Sequence, residues 1–394
     1  MVSDAYVPPE NVDLPPELDA YLMDLLAYNS NALKSCALVS KAWLAASRVC
    51  LFRDITVESE TMFLRFEEVL ITSPMIGDCV RTLRFRGREL SAPLVQCCLS
   101  RTLPVPLSRL EAFEFRFVQD SWKPQSLKDL AKFTTITRIS LVECSLYTEE
   151  LFGIISAFPF LKDLRVADID ESVGEIEAVE KPHNPKLERL LMHCSAIPTR
   201  RYGRESLIDF LISKGSLESL RVLDVGISMY NMRSMGKLIR TLGPQLEELH
   251  IGFVSPFGRS DTDLSSEPFS LTQPFCAAYT CHETDMLESI DLTQSVNLQR
   301  LVLSRPAHPL TRDLLSRVVS PHVHTIEFGP DFIGADTQQL EETLCAPNFS
   351  QLAEVCFVTK YNPNKREDVV KSKYQLAFPR LHERGILQVA RTLD

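Results

Sequence analysis

The chain has 394 residues, 45% of them hydrophobic and 24% charged, with a formal net charge of −10 at pH 7. A general nucleic-acid binder concentrates positive charge to displace counterions from phosphate, so this balance argues against a nucleic-acid partner. No apolar run approaches the roughly 18 residues that cross a bilayer, and the opening ten residues lack the basic and apolar stretches of a secretory signal, so the expected place is the cytoplasm or nucleus, with no membrane partner.

Residues 1–13 read as a flexible N-terminus. From 14 to 53 the pattern is helical. Pro15 and Pro16 can open a helix, in which Leu18, Leu22, Leu25 and Leu26 fall on one face. Asn29, Ser30 and Asn31 form a natural break and cap, after which Leu33, Cys36, Ala37, Ser40 and Trp43 line another face. Two or three short helices cannot enclose a large core, so some of this apolar surface must be covered by something else. Residues 54–79 read as a connecting strand and helix.

From Leu83 to Val355 one short pattern returns ten times: apolar, two variable, apolar, one variable, apolar. Its centres are Leu83, Phe113, Ile139, Leu164, Leu190, Leu223, Leu249, Leu301, Ile326 and Val355, separated by 30, 26, 25, 26, 33, 26, 52, 25 and 29 residues. The longest step is twice 26 and reads as one degenerate or interrupted repeat. Alternation about each centre is the signature of a short strand with one buried face. Between centres lie helical spacings such as Leu127, Leu130, Ala131 and Phe133, or Leu207, Phe210 and Leu211. Each unit is a strand plus a helix that cannot bury its apolar face alone, so the units must stack. The expected fold is α/β: a curved leucine-rich-repeat solenoid from 80 to 394, with parallel strands on the concave side and helices on the convex side. Turn formers such as Ser255, Pro256, Gly258 and Pro268 mark an irregular insertion near 254–285, and Tyr361 to Lys373 reads as an exposed loop.

The N-terminal unit carries a resemblance. Leu14-Pro-Pro-Glu-Leu18, then Leu38-Val-Ser-Lys41 with Trp43, then Leu51-Phe-Arg53 are similar in order and spacing to an F-box, the module by which substrate receptors dock on the Skp adaptor of a cullin ubiquitin ligase. The closing stretch from Phe378 to Val389 is similar to the end of many F-box proteins of mushroom-forming fungi. The resemblance implies a short all-α F-box ahead of the solenoid, with Leu14, Pro15, Leu18, Leu22, Leu33, Val39 and Trp43 divided between the module's own core and the adaptor. The other reading is that these residues merely cap the solenoid, which serves as an interaction scaffold.

Catalytic signatures are missing: no G-x-G-x-x-G, no phosphate-binding loop and no nucleophile elbow occurs. Gly236-Lys237 lacks the rest of a phosphate-binding loop. Cys276, Cys281 and His282 stand at unsuitable spacings for zinc, and His322 and His324 alternate on a strand start. Cys97 and Cys98 read as packing residues. Eleven irregularly spaced cysteines, among them Cys36, Cys144, Cys194 and Cys356 in apolar surroundings, suit buried free thiols. Neither enzyme activity nor a cofactor nor a metal is expected.

A protein substrate is expected on the concave side, at the outward positions of the strands. Its first half offers Arg84, Arg86, Arg116, Arg138, Arg165, Arg189 and His193, with Glu114 and Asp163 among them; the later half offers Asp224, Glu248, His250, Glu327 and Glu354, with Arg300. The arginines suit an acidic or phosphorylated segment. Against this stands mutual pairing of the strand charges, Arg165 with Asp163 and Arg116 with neighbours of Glu114.

Overall fold

The computed structural model describes residues 15–27, 29–87, 95, 98, 106–118, 124–172, 183–193, 204–228, 231–253, 288–304, 308–330, 337–360 and 366–392. Three short helices come first, α1 (Pro16–Leu25), α2 (Ser30–Cys36) and α3 (Lys41–Leu51). The breaks between them are capped: Asn29 Oδ1 accepts from the Ala32 N–H at 3.0 Å, and Ser40 Oγ accepts from the Trp43 N–H at 3.2 Å. Trp43 Nε1 donates to Asp19 Oδ1 at 2.9 Å and ties α3 to α1. The unit has a core of its own, in which Met23, Leu33 and Cys36 are buried and Leu26, Trp43, Ala46, Cys50 and Leu51 pack around them.

A twelve-stranded parallel sheet follows. Its strands are β1 (Asp54–Val57), β2 (Thr82–Arg86), β3 (Ala112–Arg116), β4 (Arg138–Val142), β6 (Asp163–Ala167), β8 (Arg189–His193), β9 (Val222–Ile227), β10 (Glu248–Phe253), β11 (Arg300–Ser304), β12 (Thr325–Phe328), β13 (Glu354–Lys360) and β14 (Leu387–Thr392), each beside the next. A separate parallel ribbon joins β5 (Ser145–Tyr147) to β7 (Asp170–Ser172). The ten pattern centres stand in one unbroken register row, from Leu83 opposite Phe113 to Ile326 opposite Val355. Ile55 of β1 and Leu387 of β14 extend that row at either end. A second row two residues on includes Phe85, Phe115, Leu141 and Val166; these four and the ten centres are buried, and Ile55 and Leu387 at the ends are half-buried.

Helices such as Pro124–Leu130, Thr148–Ser156, Arg204–Ser213, Met232–Leu242, His308–Ser316 and Thr337–Leu344 return the chain between strands. Leu127, Leu130, Leu207 and Leu211 join the same continuous core as the strand rows, while most alternate strand positions are half-buried or exposed, so the body is two layers with no helix over the second sheet face among the described residues. Each large aliphatic or aromatic side chain so buried contributes about 1.5–3 kcal/mol relative to exposure. Phe85 stacks on Phe115 at 5.5 Å, and Phe328 on Phe357 at 4.9 Å, continuing the rows as aromatic ladders.

Phe117, Glu143 and Asp168, each one residue past its strand, adopt left-handed φ of 60°, 54° and 52°. That conformation costs a side-chain-bearing residue roughly 1–2 kcal/mol. It is offset by donation of each N–H to the end of the next strand: Phe117 to the Val142 carbonyl at 3.1 Å, Glu143 to Ala167 at 2.9 Å and Asp168 to His193 at 3.2 Å. Three successive units thus share a corner that the hydrophobic pattern does not display.

Several sequence expectations change. Residues 54–79 are no mere connection: β1 pairs with β2, and helix α4 (Glu60–Thr72) sends Phe63, Phe66 and Leu70 into the main core. The 52-residue step, read as one degenerate or interrupted repeat, joins two strands that are direct neighbours in the sheet, since β10 pairs with β11. Its residues 254–287 lie outside the described ones, and with them the expected insertion and Cys276, Cys281 and His282. The returning chain packs so close that a Cβ on Gly236 would stand 2.1 Å from the Ser289 carbonyl oxygen, which accounts for that glycine on packing grounds. Of the loop expected over Tyr361 to Lys373, 361–365 are undescribed, but Glu367–Ala377 is a helix. Acidic residues open it, and Tyr374 anchors it against Phe357 at 4.9 Å. Buried Glu341 accepts from the N–H groups of Arg380 and Leu381 at 2.7 and 3.1 Å, seating the last short helix, Pro379–Glu383.

Candidate functional site

Two surfaces invite a ligand, one on the helical unit and one on the bare sheet face. On the first, Leu18 is 47% exposed, Val39 65% and Leu38 88%, and Tyr21, Leu25 and Val49 are exposed as well. Of the seven residues expected to divide between core and adaptor, Pro15, Leu18 and Val39 are exposed, Leu22 and Trp43 are half-buried, and Leu14 lies outside the described residues. Leu33 is only 1% exposed. It has no surface left for an adaptor, because it packs with Met23 and Cys36 inside the unit. Tyr21, Leu38 and Val49 were not singled out from the sequence as anchors; their exposure depends on how α1–α3 fold together, which single-helix periodicity does not reveal.

On the second surface the strand register sorts the charges. One row runs Thr82, Ala112, Arg138, Asp163, Arg189; the next runs Arg84, Glu114, Ser140, Arg165, Leu191, Asp224, His250. Pairing is largely between neighbouring strands. Arg84 bridges Asp54 at 3.3 Å and Glu114 at 2.9 Å; Arg189 meets Asp163 at 3.6 Å, and Arg138 lies 3.8 Å from Glu111. Arg116 pairs with Glu143 at 3.0 Å and lies over the Phe117 ring. The expected partnership of Arg165 with Asp163 is replaced by Arg189 with Asp163. Same-face residues on one strand are about 6.6 Å apart while neighbouring strands are about 4.8 Å apart, so cross-strand pairs form first.

Further along, His193 Nε2 meets Asp224 Oδ1 at 2.9 Å, with His250 Nδ1 3.7 Å from Oδ2 of the same carboxylate. Burial opposes ionisation of Asp224, but the hydrogen bond from His193 and the nearby His250 imidazole outweigh it and hold the carboxyl well below its ordinary range. Arg300 joins Glu248 at 3.9 Å to Glu327 at 2.8 Å.

A cleft of about 400 Å³ opens on this face. Arg84, Arg138, Arg165 and Arg189 line it together with Glu114, Ser140 and Asp163, and Ala27, Cys50 and Arg53 of the N-terminal region form part of its wall. Four of the seven expected substrate residues therefore converge; Arg86, Arg116 and His193 stand outside the lining. The contribution of Arg53 was not foreseen, since no repeat pattern links it to the strands. Among the described residues no group of three or more histidines, cysteines and acids could hold a metal ion, and no helix is long and apolar enough to cross a membrane. Cys98 is buried, as are Cys36, Cys144 and Cys356; burial pushes the Cys144 thiol up to about 11, an inert state. Cys97 and Cys194 lie outside the described residues.

In comparisons with known proteins, no family model and no curated protein matches the chain.

Proposed function

We propose that the chain is the non-catalytic substrate-recognition subunit of a Skp–cullin–F-box ubiquitin ligase, with residues 14–53 as the F-box and the stacked units as a leucine-rich-repeat receptor. The observation that carries this reading is the set of exposed apolar side chains on the helical unit. A mere cap would turn its apolar residues onto the sheet body, but that end of the body is already covered by β1 and α4, whose Phe63, Phe66 and Leu70 belong to the main core. The trio keeps a separate core and leaves Leu18, Tyr21, Leu25, Leu38 and Val39 in solvent. A few large apolar anchors of this kind carry most of the energy of helix-in-groove recognition.

In such a receptor the chain contributes no acid, base or nucleophile. It raises the effective concentration of a bound protein's lysines beside the conjugating enzyme. The test is co-purification with recombinant Skp adaptor. Val39→Asp and Leu38→Asp, both at exposed positions, should abolish capture while the circular dichroism spectrum and melting temperature stay at wild-type values. Capture by neither wild type nor variants would instead favour an interaction scaffold.

A further inference from the structure

The cleft over β4, β6 and β8 has more arginines than acids in its lining, and internal pairing, in which Arg53 reaches Asp24 at 3.9 Å, leaves Arg165 standing. Arg53, Arg84, Arg138, Arg165 and Arg189 line the cleft against Asp54, Glu114 and Asp163. Arg84 is fully engaged by its two acids, but Arg138 and Arg189 hold theirs only at 3.8 and 3.6 Å. Arg165 is exposed, and no ion pair joins it to any described residue. Burial pushes the Asp163 carboxyl up although Arg189 and Arg138 pull it down. Depth comes from small side chains: Ala112 stands beside Arg138 in one row and Ser140 beside Arg165 in the next.

We propose that this cleft binds an extended, carboxylate-rich segment of a partner protein, with Arg165 as its central anchor and Arg138 and Arg189 to either side. The inference rests on reading the bare sheet face as the receptor's recognition surface and names what that surface takes. Arginine's forked donors bind a carboxylate bidentately, and an unpaired guanidinium gives up no existing bond to do so. Arg138 and Arg189 stand two strands apart, about 10 Å, and Arg165 is displaced about 6.6 Å along the strand direction. Same-face side chains of an extended peptide repeat at about that second distance, whereas a single tetrahedral anion spans neither. Asp224, Glu248, Glu327 and Glu354 on the later strands repel an acidic chain and direct it to β4–β8.

Fluorescence anisotropy on the full chain tests this with a labelled Gly-Glu-Gly-Glu-Gly-Glu peptide, its glutamine counterpart and a glycine peptide bearing one phosphoserine. The glutamate peptide should bind and weaken with added salt, and the glutamine peptide should not bind. Arg165→Ala should lose about tenfold in affinity, the effect of one charge-assisted contact. Ser140→Glu, which supplies Arg165 with an internal carboxylate, should lose as much, and circular dichroism checks that both variants are folded. Equal binding of the glutamate and glutamine peptides, or affinities within about twofold for both variants, overturns the proposal. Binding of the phosphoserine peptide alone overturns the carboxylate assignment. Adaptor capture measured in parallel separates the two readings: capture without peptide binding removes only the cleft, and peptide binding without capture removes only the ligase assignment.

Discussion

The helical unit and the sheet body spend their apolar residues in opposite ways. In the body each strand–helix unit hands its apolar face to the next, and the core runs unbroken from Val57 to Leu381. In the unit of α1–α3 only three apolar residues are buried, with Ser47 beside them, and six of the fifteen exposed large hydrophobics among the described residues, Leu18, Tyr21, Leu25, Leu38, Val39 and Val49, are found there. Stacking satisfies the strand–helix body internally, and its bare sheet face carries mostly charged and polar side chains. A three-helix unit has no such neighbour, and its unsatisfied surface is apolar.

The largest effect that sharpens this contrast comes from truncating one residue in each core. Phe357 is fully buried and stacks on Phe328 at 4.9 Å and Phe378 at 4.6 Å. Phe357→Ala should cost about 3–5 kcal/mol in urea unfolding followed by circular dichroism. Met23→Ala should cost about 2–5 kcal/mol within its own small core. Its effect on hydrogen exchange should be confined to α1–α3, leaving the amides of β4–β9 protected as in wild type. Equal acceleration across β4–β9 would show that the two cores melt as one and break the comparison.

Gly236→Ala probes the body where its repeat is interrupted. In an isolated helix this change stabilises by about 1 kcal/mol. Here the added Cβ would meet a backbone oxygen at 2.1 Å, which no side-chain rotation relieves. A net loss of about 1–3 kcal/mol is expected by thermal melting. A gain would show that the chain at Ser289 does not press on that helix.

Most of the body was legible because a period of two and a step near 26 residues reflect the same geometry: every centre from Leu83 to Val355 falls in one hydrogen-bonded row. The first strand was read only as a connecting one because it carries just Ile55 and Val57 inward, and the last escaped because part of the chain before it was read as loop. The left-handed corners at Phe117, Glu143 and Asp168 carry no glycine to announce them. In the cleft, the outward arginines were legible from alternation, but their pairing depended on cross-strand neighbours 25 or more residues away. Tertiary register decided that Asp163 answers Arg189 and leaves Arg165 open. In the helical unit the faces were legible and their occupants were not: Leu33 and Val39 look alike in sequence, yet one is sealed and the other bare.

The smallest effect expected is electrostatic, at the boundary between the basic and acidic halves of the sheet face. Asp224 is held below its ordinary carboxyl range by His193 and His250 in spite of burial. A carboxylate depressed in the folded state contributes stability that is present above its unfolded value of about 3.9 and disappears as pH falls through the folded one. Wild type should therefore lose stability below about pH 4 more steeply than Asp224→Asn, which has no charge to lose there. Partly exposed pairs of this kind contribute up to about 1 kcal/mol, so the difference belongs in the acid limb of a melting-temperature profile rather than at neutral pH. Superimposable acid limbs would mean that the two imidazoles do not favour the ionised carboxylate. The boundary of the basic face would then be set by Arg189 and Asp163 alone.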